Sequence, residues 1–170
     1  MKSITAFITG HRTVNFKLAK LGINQLTDLA IQRRFTIFLT GMALGTDQLA
    51  AEIWTERYLT WKAILPCEDQ SNLWPLPKQI HYRKLLGKAS EIQVLYPQYK
   101  QGVMQARNLF MVRNSQLGLA VWNNGCQQGL GGTFLTIQMA RKAKLPLIIF
   151  NPQTQQITFE PQHYQLTLDL

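Results

Sequence analysis

Short apolar runs alternate with amphipathic segments along the chain. The apolar runs, bounded by glycine, proline or polar residues, predict strands at 4–9, 35–40, 61–65, 92–96, 117–122 and 147–150. Segments with apolar residues three or four positions apart predict helices at 17–34, 46–59, 78–89, 102–115 and 133–144. Strands separated by helices of this length are typical of parallel βαβ units. The pattern therefore predicts a single Rossmann-like, three-layer α/β/α domain with a mainly parallel sheet over residues 1–152.

The remaining residues, 153–170, are mostly polar with a short β-like alternation. Ile157 and Phe159 form one alternating pair, and Tyr164, Leu166 and Leu168 continue the pattern. This segment is predicted to be a C-terminal tail or an edge hairpin of the same domain.

Composition narrows the class of protein. With 170 residues and 46% hydrophobic content, the chain is long enough and apolar enough for one folded domain. No apolar run reaches the roughly 18–20 residues that cross a bilayer, and the first residues lack a signal-peptide pattern. A cytoplasmic protein without a membrane partner is therefore expected. Cys67 and Cys126 are too few for a disulfide framework, and the three histidines never fall at metal-ligand spacing, so no metal site is expected.

Charge is distributed unevenly along the chain. Lys and Arg number 18 against nine Asp and Glu, giving a net charge of +9. Between Glu91 and Glu160 there is no carboxylate, whereas six basic residues lie in that stretch. This excludes a carboxylate base from most of the second half and favours an anionic partner, either a phosphorylated small molecule or a nucleic acid. A solvated basic surface is the alternative interpretation.

Three predicted strands end in glycine-rich or polar loops, which a parallel sheet brings to one edge. The first two loops are Thr9-Gly10-His11-Arg12 and the segment 41–47, in which Gly41 and Gly45 precede Thr46 and Asp47. The third ends in Gly131-Gly132-Thr133 and opens a helix, whose free N–H groups attract phosphate. Ordinary turns are the alternative, since none of the loops matches a Walker or dinucleotide-binding pattern.

Taken together, these residues resemble the SLOG superfamily of Rossmann-like domains, and in particular its YpsA-like branch. The superfamily includes the DNA-processing protein A family and the LOG phosphoribohydrolases. The resemblance is carried by Thr9-Gly10-His11-Arg12, Gly41-x3-Gly45-Thr46-Asp47-x4-Glu52, Arg107-Asn108 and Gly131-Gly132-Thr133, with Trp74 and Tyr82 in the middle region.

The resemblance implies a nucleotide or nucleotide derivative as ligand and no other cofactor, and it also implies a homodimer. The residues it places at the ligand are Gly10, His11, Arg12, Gly41, Gly45, Thr46, Asp47, Trp74, Arg107, Asn108, Gly131, Gly132 and Thr133. Gly131 to Thr133 would surround a phosphate, and Arg107 would pair with phosphate or ribose.

One departure from the family bears on catalysis. LOG enzymes carry a glutamate shortly after the glycine-rich loop, whereas here Thr133 is followed by Phe134-Leu135-Thr136-Ile137-Gln138. A binding protein is therefore the leading hypothesis. The alternatives are a hydrolase of nucleotide N-glycosidic or phosphate bonds, with Asp47 or Glu52 replacing the missing acid, and a protein that binds single-stranded DNA or another nucleic acid.

Several side chains keep two interpretations. Arg107 is either a phosphate or ribose ligand or a surface arginine with a packed stem. Trp74 either stacks on a base at the rim of the cleft or anchors the polar loop 68–77, which is long enough to act as a lid. His11 either contacts ligand or makes ordinary turn hydrogen bonds. His81 and Tyr82 are predicted to lie on a solvated helix face.

Overall fold

The computed structural model describes residues 4–125 and 131–168. Within them, strands and helices alternate in the predicted order. The elements are β1 (Thr5–Gly10), α1 (Phe16–Gln32), β2 (Ile37–Thr40), α2 (Thr46–Glu56), β3 (Thr60–Cys67), α3 (Leu76–Leu86), β4 (Glu91–Tyr96), α4 (Val103–Arg113), β5 (Leu117–Val121), α5 (Gly132–Lys142), β6 (Leu147–Phe150), β7 (Ile157–Glu160) and a 3-10 helix (Gln162–Leu168).

The strands form one sheet in the order β4-β3-β2-β1-β5-β6-β7. All neighbouring strands from β4 across to β6 are parallel, and β7 joins the edge of β6 antiparallel. Phe7 of β1 pairs with Leu39 of β2 on one side and with Gly118 of β5 on the other. The predicted Rossmann-like α/β fold is confirmed, and the strand order reverses at β1, where such sheets open a ligand crevice.

Helices cover both faces of the sheet. Successive residues of a strand point to opposite faces, so Ile8 packs into the core shared with α1, α2 and α3, while Phe7 packs into the core shared with α4 and α5. Burial on both faces explains why the central strands read as continuous apolar runs. None of the helices in the described residues combines the length and apolarity needed to span a membrane.

The sequence pattern placed two boundaries wrongly around β3 and α3. β3 continues through Pro66 to Cys67, which pairs with Tyr96. Pro66 is tolerated because β2 pairs with β3 only as far as Ala63, so the missing N–H breaks no ladder bond to β2. α3 begins at Leu76 rather than at residue 78, because proline at the first positions of a helix loses no hydrogen bond.

The C-terminal segment departs from the alternation of strands and helices. Ile157 and Phe159 lie on β7, which forms an antiparallel hairpin with β6. Tyr164 lies in the 3-10 helix that follows, so the β-like alternation does not continue as a strand beyond β7. The backbone hydrogen bond from Tyr164 N to Pro161 O closes a tight turn there, at 2.9 Å.

Candidate functional site

A cleft of about 460 Å³ opens at the carboxyl ends of β1 and β5, where the strand order reverses. Its walls come from the loops after these strands, from the start of α2, from one face of α4 and from the first turn of α5. The lining residues are Thr9, Gly10, His11, Arg12, Thr13, Ala43, Asp47, Met104, Arg107, Asn108, Met111, Asn123, Gly131, Gly132 and Thr133. A cavity of this size and mixed polarity is typical of a small-molecule site.

Arg107 is the central cation of the cleft. Its side chain is only 4% exposed, so the surface-arginine interpretation is wrong. Nε donates to Asn108 Oδ1 at 2.7 Å and Nη1 donates to the carbonyl of Gly41 at 2.6 Å. No hydrogen bond to Nη2 is found among residues 4–125 and 131–168. The guanidinium is therefore held in a fixed orientation by Nε and Nη1, and Nη2 has no acceptor among the described residues.

A chain of buried hydrogen bonds supports this arrangement from the other side. The Gly41 carbonyl also accepts from Gln70 Nε2 at 3.2 Å, and Gln70 Oε1 accepts from the hydroxyl of Tyr82 at 3.1 Å. Tyr82 is buried, so its predicted place on a solvated helix face is wrong. Burial raises the pKa of the Tyr82 hydroxyl, which therefore stays protonated and donates. The hydrogen bonds thus connect α3 to α4 through the loop after β2.

Asp47 provides the negative charge of the cleft. It lies in the first turn of α2, where its Oδ2 accepts from the backbone N–H of Ala43 at 3.2 Å. Burial raises the pKa of Asp47 to about 6, although the nearby guanidinium of Arg107 and the Ala43 N–H favour the charged form. The desolvation cost of the carboxylate thus exceeds the stabilisation by its cationic neighbours. Asp47 titrates close to neutral pH, beside a buried arginine that stays charged.

The first turn of α5 adds hydrogen-bond donors opposite Asp47. Gly131 precedes the helix without any side-chain cap, so the N–H groups of the first turn, including those of Gly132 and Thr133, have no intrahelical acceptor. A Cβ added at Gly132 would lie 3.9 Å from Asn108 Nδ2, so this amide is close to the helix terminus. Arg107, Asn108 and the start of α5 therefore converge on one region that attracts an anion.

The β1–α1 loop is fastened to the start of α2. The carbonyl of His11 accepts from the Thr46 backbone N–H at 3.2 Å and from the Thr46 hydroxyl at 3.0 Å. The imidazole of His11 lines the cleft, and its buried Nε2 has no hydrogen-bond partner among the described residues. The structure thus leaves His11 with a polar atom to satisfy, which favours a ligand contact over turn bonding.

The loop after β2 depends on an unusual backbone. Gly45 has φ +85°, and a Cβ there would come within 2.2 Å of the Arg12 carbonyl. Met42 adopts φ +57° although it is a buried residue with a side chain. Its N–H donates to Thr40 Oγ1 at 3.3 Å and its carbonyl accepts from Gln48 Nε2 at 3.2 Å. Such sparsely populated conformations concentrate at functional sites, and here the loop sets the position of Asp47.

Nine of the thirteen residues predicted at the ligand line the cleft. They are Gly10, His11, Arg12, Asp47, Arg107, Asn108, Gly131, Gly132 and Thr133. Gly41, Gly45 and Thr46 lie behind the wall, where they pack against Arg107, the Arg12 backbone and Gly10 respectively. The glycine pattern of the loop after β2 therefore reflects close packing that shapes the cleft.

Trp74 lies away from the cleft. It packs edge-on against Tyr82 with ring centroids 5.2 Å apart, and its carbonyl accepts from Gln79 Nε2 at 2.9 Å. The loop-anchor interpretation is the one that this packing supports. No residue of loop 68–77 appears among the described residues of the cleft wall. Gln70 and Ser71 of that loop are buried, whereas Leu73 is exposed, so the first part of the predicted lid is packed against the protein and the tip is not.

Sequence reasoning missed part of the cleft wall. Met104 and Met111 line it from α4, at the positions three before Arg107 and four after it. The helical spacing of three and four residues could have indicated them, because residues so spaced share a face with Arg107 and Asn108. No comparable sequence pattern indicated that Ala43 and Asn123 would line the cleft. Cys126 and Gly129, part of the predicted third loop, lie outside the described residues.

Comparison with solved structures supports this fold assignment. The chain matches the DNA processing protein A of Streptococcus pneumoniae with a TM-score of 0.63 and 13% identity, covering 86% of this chain and 50% of that protein. It matches the Helicobacter pylori protein of the same name, described for its single-stranded DNA binding mode, with a TM-score of 0.60 and 18% identity, over 86% of this chain and 64% of that one. The Moco carrier protein of Chlamydomonas rheinhardtii matches with a TM-score of 0.53 and 17% identity, over 99% of this chain and 86% of that one.

These likenesses define the class of fold. The chain has the mostly parallel, Rossmann-like α/β fold of these structures. It spans about half the length of the Streptococcus pneumoniae protein. No protein-family profile matches the chain, and no curated protein matches it by sequence.

Proposed function

We propose that this protein binds a nucleotide or nucleotide derivative and holds its phosphate in the cleft between β1, β5, α4 and α5. The observation that carries the proposal is Arg107, a buried guanidinium with two nitrogens bonded to the protein and Nη2 left without a partner among the described residues. A buried charge is costly unless it is both paired and hydrogen-bonded, and Asp47, the carboxylate beside Arg107, accepts no hydrogen bond from it among the described residues. A phosphate beside the start of α5 would supply a hydrogen-bonded counter-charge.

The surrounding groups are consistent with a phosphorylated ligand. Asn108 Nδ2 and the free N–H groups at Gly132 and Thr133 are donors, and Arg12 adds a second cation at the exposed rim. The single carboxylate of the described cleft wall, Asp47, has its pKa raised by burial to about 6, so it opposes a phosphate above that pH and ceases to do so below it. The two methionines of α4, Met104 and Met111, provide an apolar wall for the uncharged part of the ligand.

Gly132 offers a direct test with a matched control. A Cβ there meets nothing closer than 3.9 Å among the described residues, so alanine fits without moving the backbone. Gly132→Asp places a carboxylate where the phosphate is proposed, and an acidic residue in the first turn also favours the helix. Isothermal titration with AMP and with ribose 5-phosphate is expected to show binding to the wild type and to Gly132→Ala, and its loss in Gly132→Asp.

The control keeps the result interpretable. Melting temperatures of the two variants are expected to agree within a few degrees, which separates loss of binding from loss of fold. Equal affinity of Gly132→Asp and Gly132→Ala for both ligands would contradict a phosphate at the start of α5.

Single-stranded DNA is a second candidate ligand. Two observations favour it: the net charge of +9 and the fold shared with the Helicobacter pylori protein described for its single-stranded DNA binding mode. Fluorescence anisotropy with a labelled oligothymidylate would test it. Affinity that falls steeply between 50 and 200 mM salt, in the absence of binding by AMP, would assign the cleft to a nucleic-acid backbone.

Hydrolysis of the ligand is a further candidate function, in which Asp47 would be the general base. A carboxyl group that titrates near pH 6 can accept a proton from water attacking C1′ of a nucleotide, while the base leaves with a proton from solvent. Release of adenine from AMP, followed by chromatography, measures this activity. Turnover in the wild type and its absence in Asp47→Asn would make the protein an enzyme.

A further inference from the structure

A second groove of about 520 Å³ lies on the other side of the loop after β2. It is formed by the loop after β1, by the start of α1, by one face of α2 and by the start of α3. The side chains that give it its chemistry are Phe16, Leu44, Leu49, Glu52, Pro77 and His81. It is more open than the cleft and lacks a buried cation comparable with Arg107 among the described residues.

The groove adjoins the cleft at its rim. Arg12 and Thr13 line both cavities. Between the cavities runs one stretch of chain, in which Ala43 and Asp47 line the cleft while Leu44 and Gln48 line the groove. Neighbouring residues thus face opposite cavities, so a ligand that passes Arg12 would occupy both.

The chemistry of the groove suits a flat, uncharged ring. Phe16 is an aromatic side chain left 62% exposed at the first position of α1, outside both cores of the protein. Leu44, Leu49 and Pro77 add apolar walls. An exposed aromatic ring beside apolar side chains is a stacking surface for a nucleobase, and such stacking tolerates any base.

Hydrogen-bonding groups also line this groove. Nε2 of His81 lies 2.5 Å from Oε1 of Glu52, a contact that bridges α2 and α3, and both side chains line the groove. Their nitrogen and oxygen atoms offer a donor and acceptors of the kind that read the edge of a base. Because Glu52 would repel a second phosphate there, the groove is better suited to the base than to an anion.

We propose that this groove holds the aromatic base of the nucleotide whose phosphate lies in the cleft. The inference rests on the proposed function, since the phosphate site sets the ligand's position. It predicts that a nucleotide binds more tightly than the sugar phosphate alone, and that this difference in affinity depends on Phe16.

The test compares AMP with ribose 5-phosphate, which share the phosphate and sugar and differ in the base. Titration of the wild type is expected to give AMP the higher affinity. In Phe16→Ala, AMP affinity is expected to fall by about fivefold or more, since base stacking on one aromatic ring contributes that much. Ribose 5-phosphate is expected to change by less than about twofold. Tyr58→Ala, at a residue 97% exposed and away from both cavities, is the matched control and is expected to change neither affinity.

The outcomes separate the two proposals. If AMP and ribose 5-phosphate bind the wild type equally, or if Phe16→Ala weakens both to the same extent, the base subsite is refuted while the phosphate site stands. If neither compound binds and only oligothymidylate does, both the nucleotide function and the base subsite fail. A melting temperature of Phe16→Ala close to that of the wild type shows that the fold is intact, as expected for an exposed side chain.

Discussion

Gly41 and Arg107 lie so close together that a side chain at position 41 would collide with the guanidinium. A Cβ built on Gly41 would be 2.4 Å from Arg107 Nη1, the nitrogen that donates to the Gly41 carbonyl. The two residues are 66 positions apart in the chain, and their contact joins the end of β2 to α4. The position of the cleft's central cation therefore depends on the absence of a side chain at residue 41.

Gly41→Ala is expected to displace Arg107 and weaken the binding of a phosphorylated ligand by about tenfold or more. It is also expected to cost about 1–3 kcal/mol of folding free energy, as overpacking of a filled interior does. Titration with ribose 5-phosphate and urea unfolding measure the two effects. Gly87→Ala is the matched control, because the nearest atom to its added Cβ is 3.4 Å away and its φ is −63°. Loss of binding in both variants would contradict a specific role for the Gly41–Arg107 contact.

Anion binding is expected to strengthen as the pH falls through about 6. An anion in the cleft disfavours the ionised form of Asp47, whose pKa burial already raises to about 6. Sulfate is a suitable probe because its charge stays constant in this range, and its affinity is expected to rise by about tenfold between pH 8 and pH 5. Asp47→Asn is expected to bind sulfate at pH 8 as well as the wild type does at pH 5.

His11 also lines the cleft and needs its own control. The sulfate measurement is therefore repeated in the single variant His11→Gln and in the double variant that also carries Asp47→Asn. The comparison separates the two contributions. A pH dependence that survives unchanged in Asp47→Asn and disappears in His11→Gln would assign the effect to the histidine.

Asp47 is also expected to make folding stability depend on pH. Burial raises its pKa from 3.8 to about 6, so the folded state binds a proton more tightly than the unfolded state does. The stability that this tighter proton binding gives to the folded state is fully present below pH 3.8 and is lost as the pH rises through about 6. The free energy of unfolding falls by roughly 3 kcal/mol over that range. Asp47→Asn is therefore expected to be more stable than the wild type at pH 8 and equally stable near pH 4. Urea unfolding at both pH values tests this, and a variant that is less stable at pH 8 would show that the charge itself is needed.

Tyr82→Phe is expected to destabilise the fold by about 1–2 kcal/mol. It removes the hydroxyl that donates to Gln70 Oε1 at 3.1 Å and leaves a buried acceptor without its partner. Thermal unfolding of the variant measures the loss. Tyr58→Phe, at a fully exposed tyrosine, is the control and is expected to leave the melting temperature unchanged. Equal stability of Tyr82→Phe and the wild type would mean that the Tyr82–Gln70 bond makes no net contribution.

The sequence by itself determined the order of strands and helices, the parallel sheet and the edge at which a site would form. These follow from local pattern, because strand and helix periodicities are properties of consecutive residues and parallel strands bring their carboxyl ends together. The residues at those ends, such as His11, Asp47 and Gly132, could therefore be placed at one cleft before any contact was known.

Only the tertiary structure decided what each residue does there. Arg107 read equally well as a surface side chain, and its burial depends on Gly41 and Asn108, which reach it from the end of β2 and from its own helix. From the sequence, Gly45 was predicted to bind phosphate. In the structure it packs closely against Arg12, because the loop after β2 contacts the loop after β1. Trp74 packs against Tyr82 because α3, which carries Tyr82, lies beside the loop that carries Trp74. Burial, packing and pKa depend on residues that are distant in the chain, and a pattern of neighbours contains no information about them.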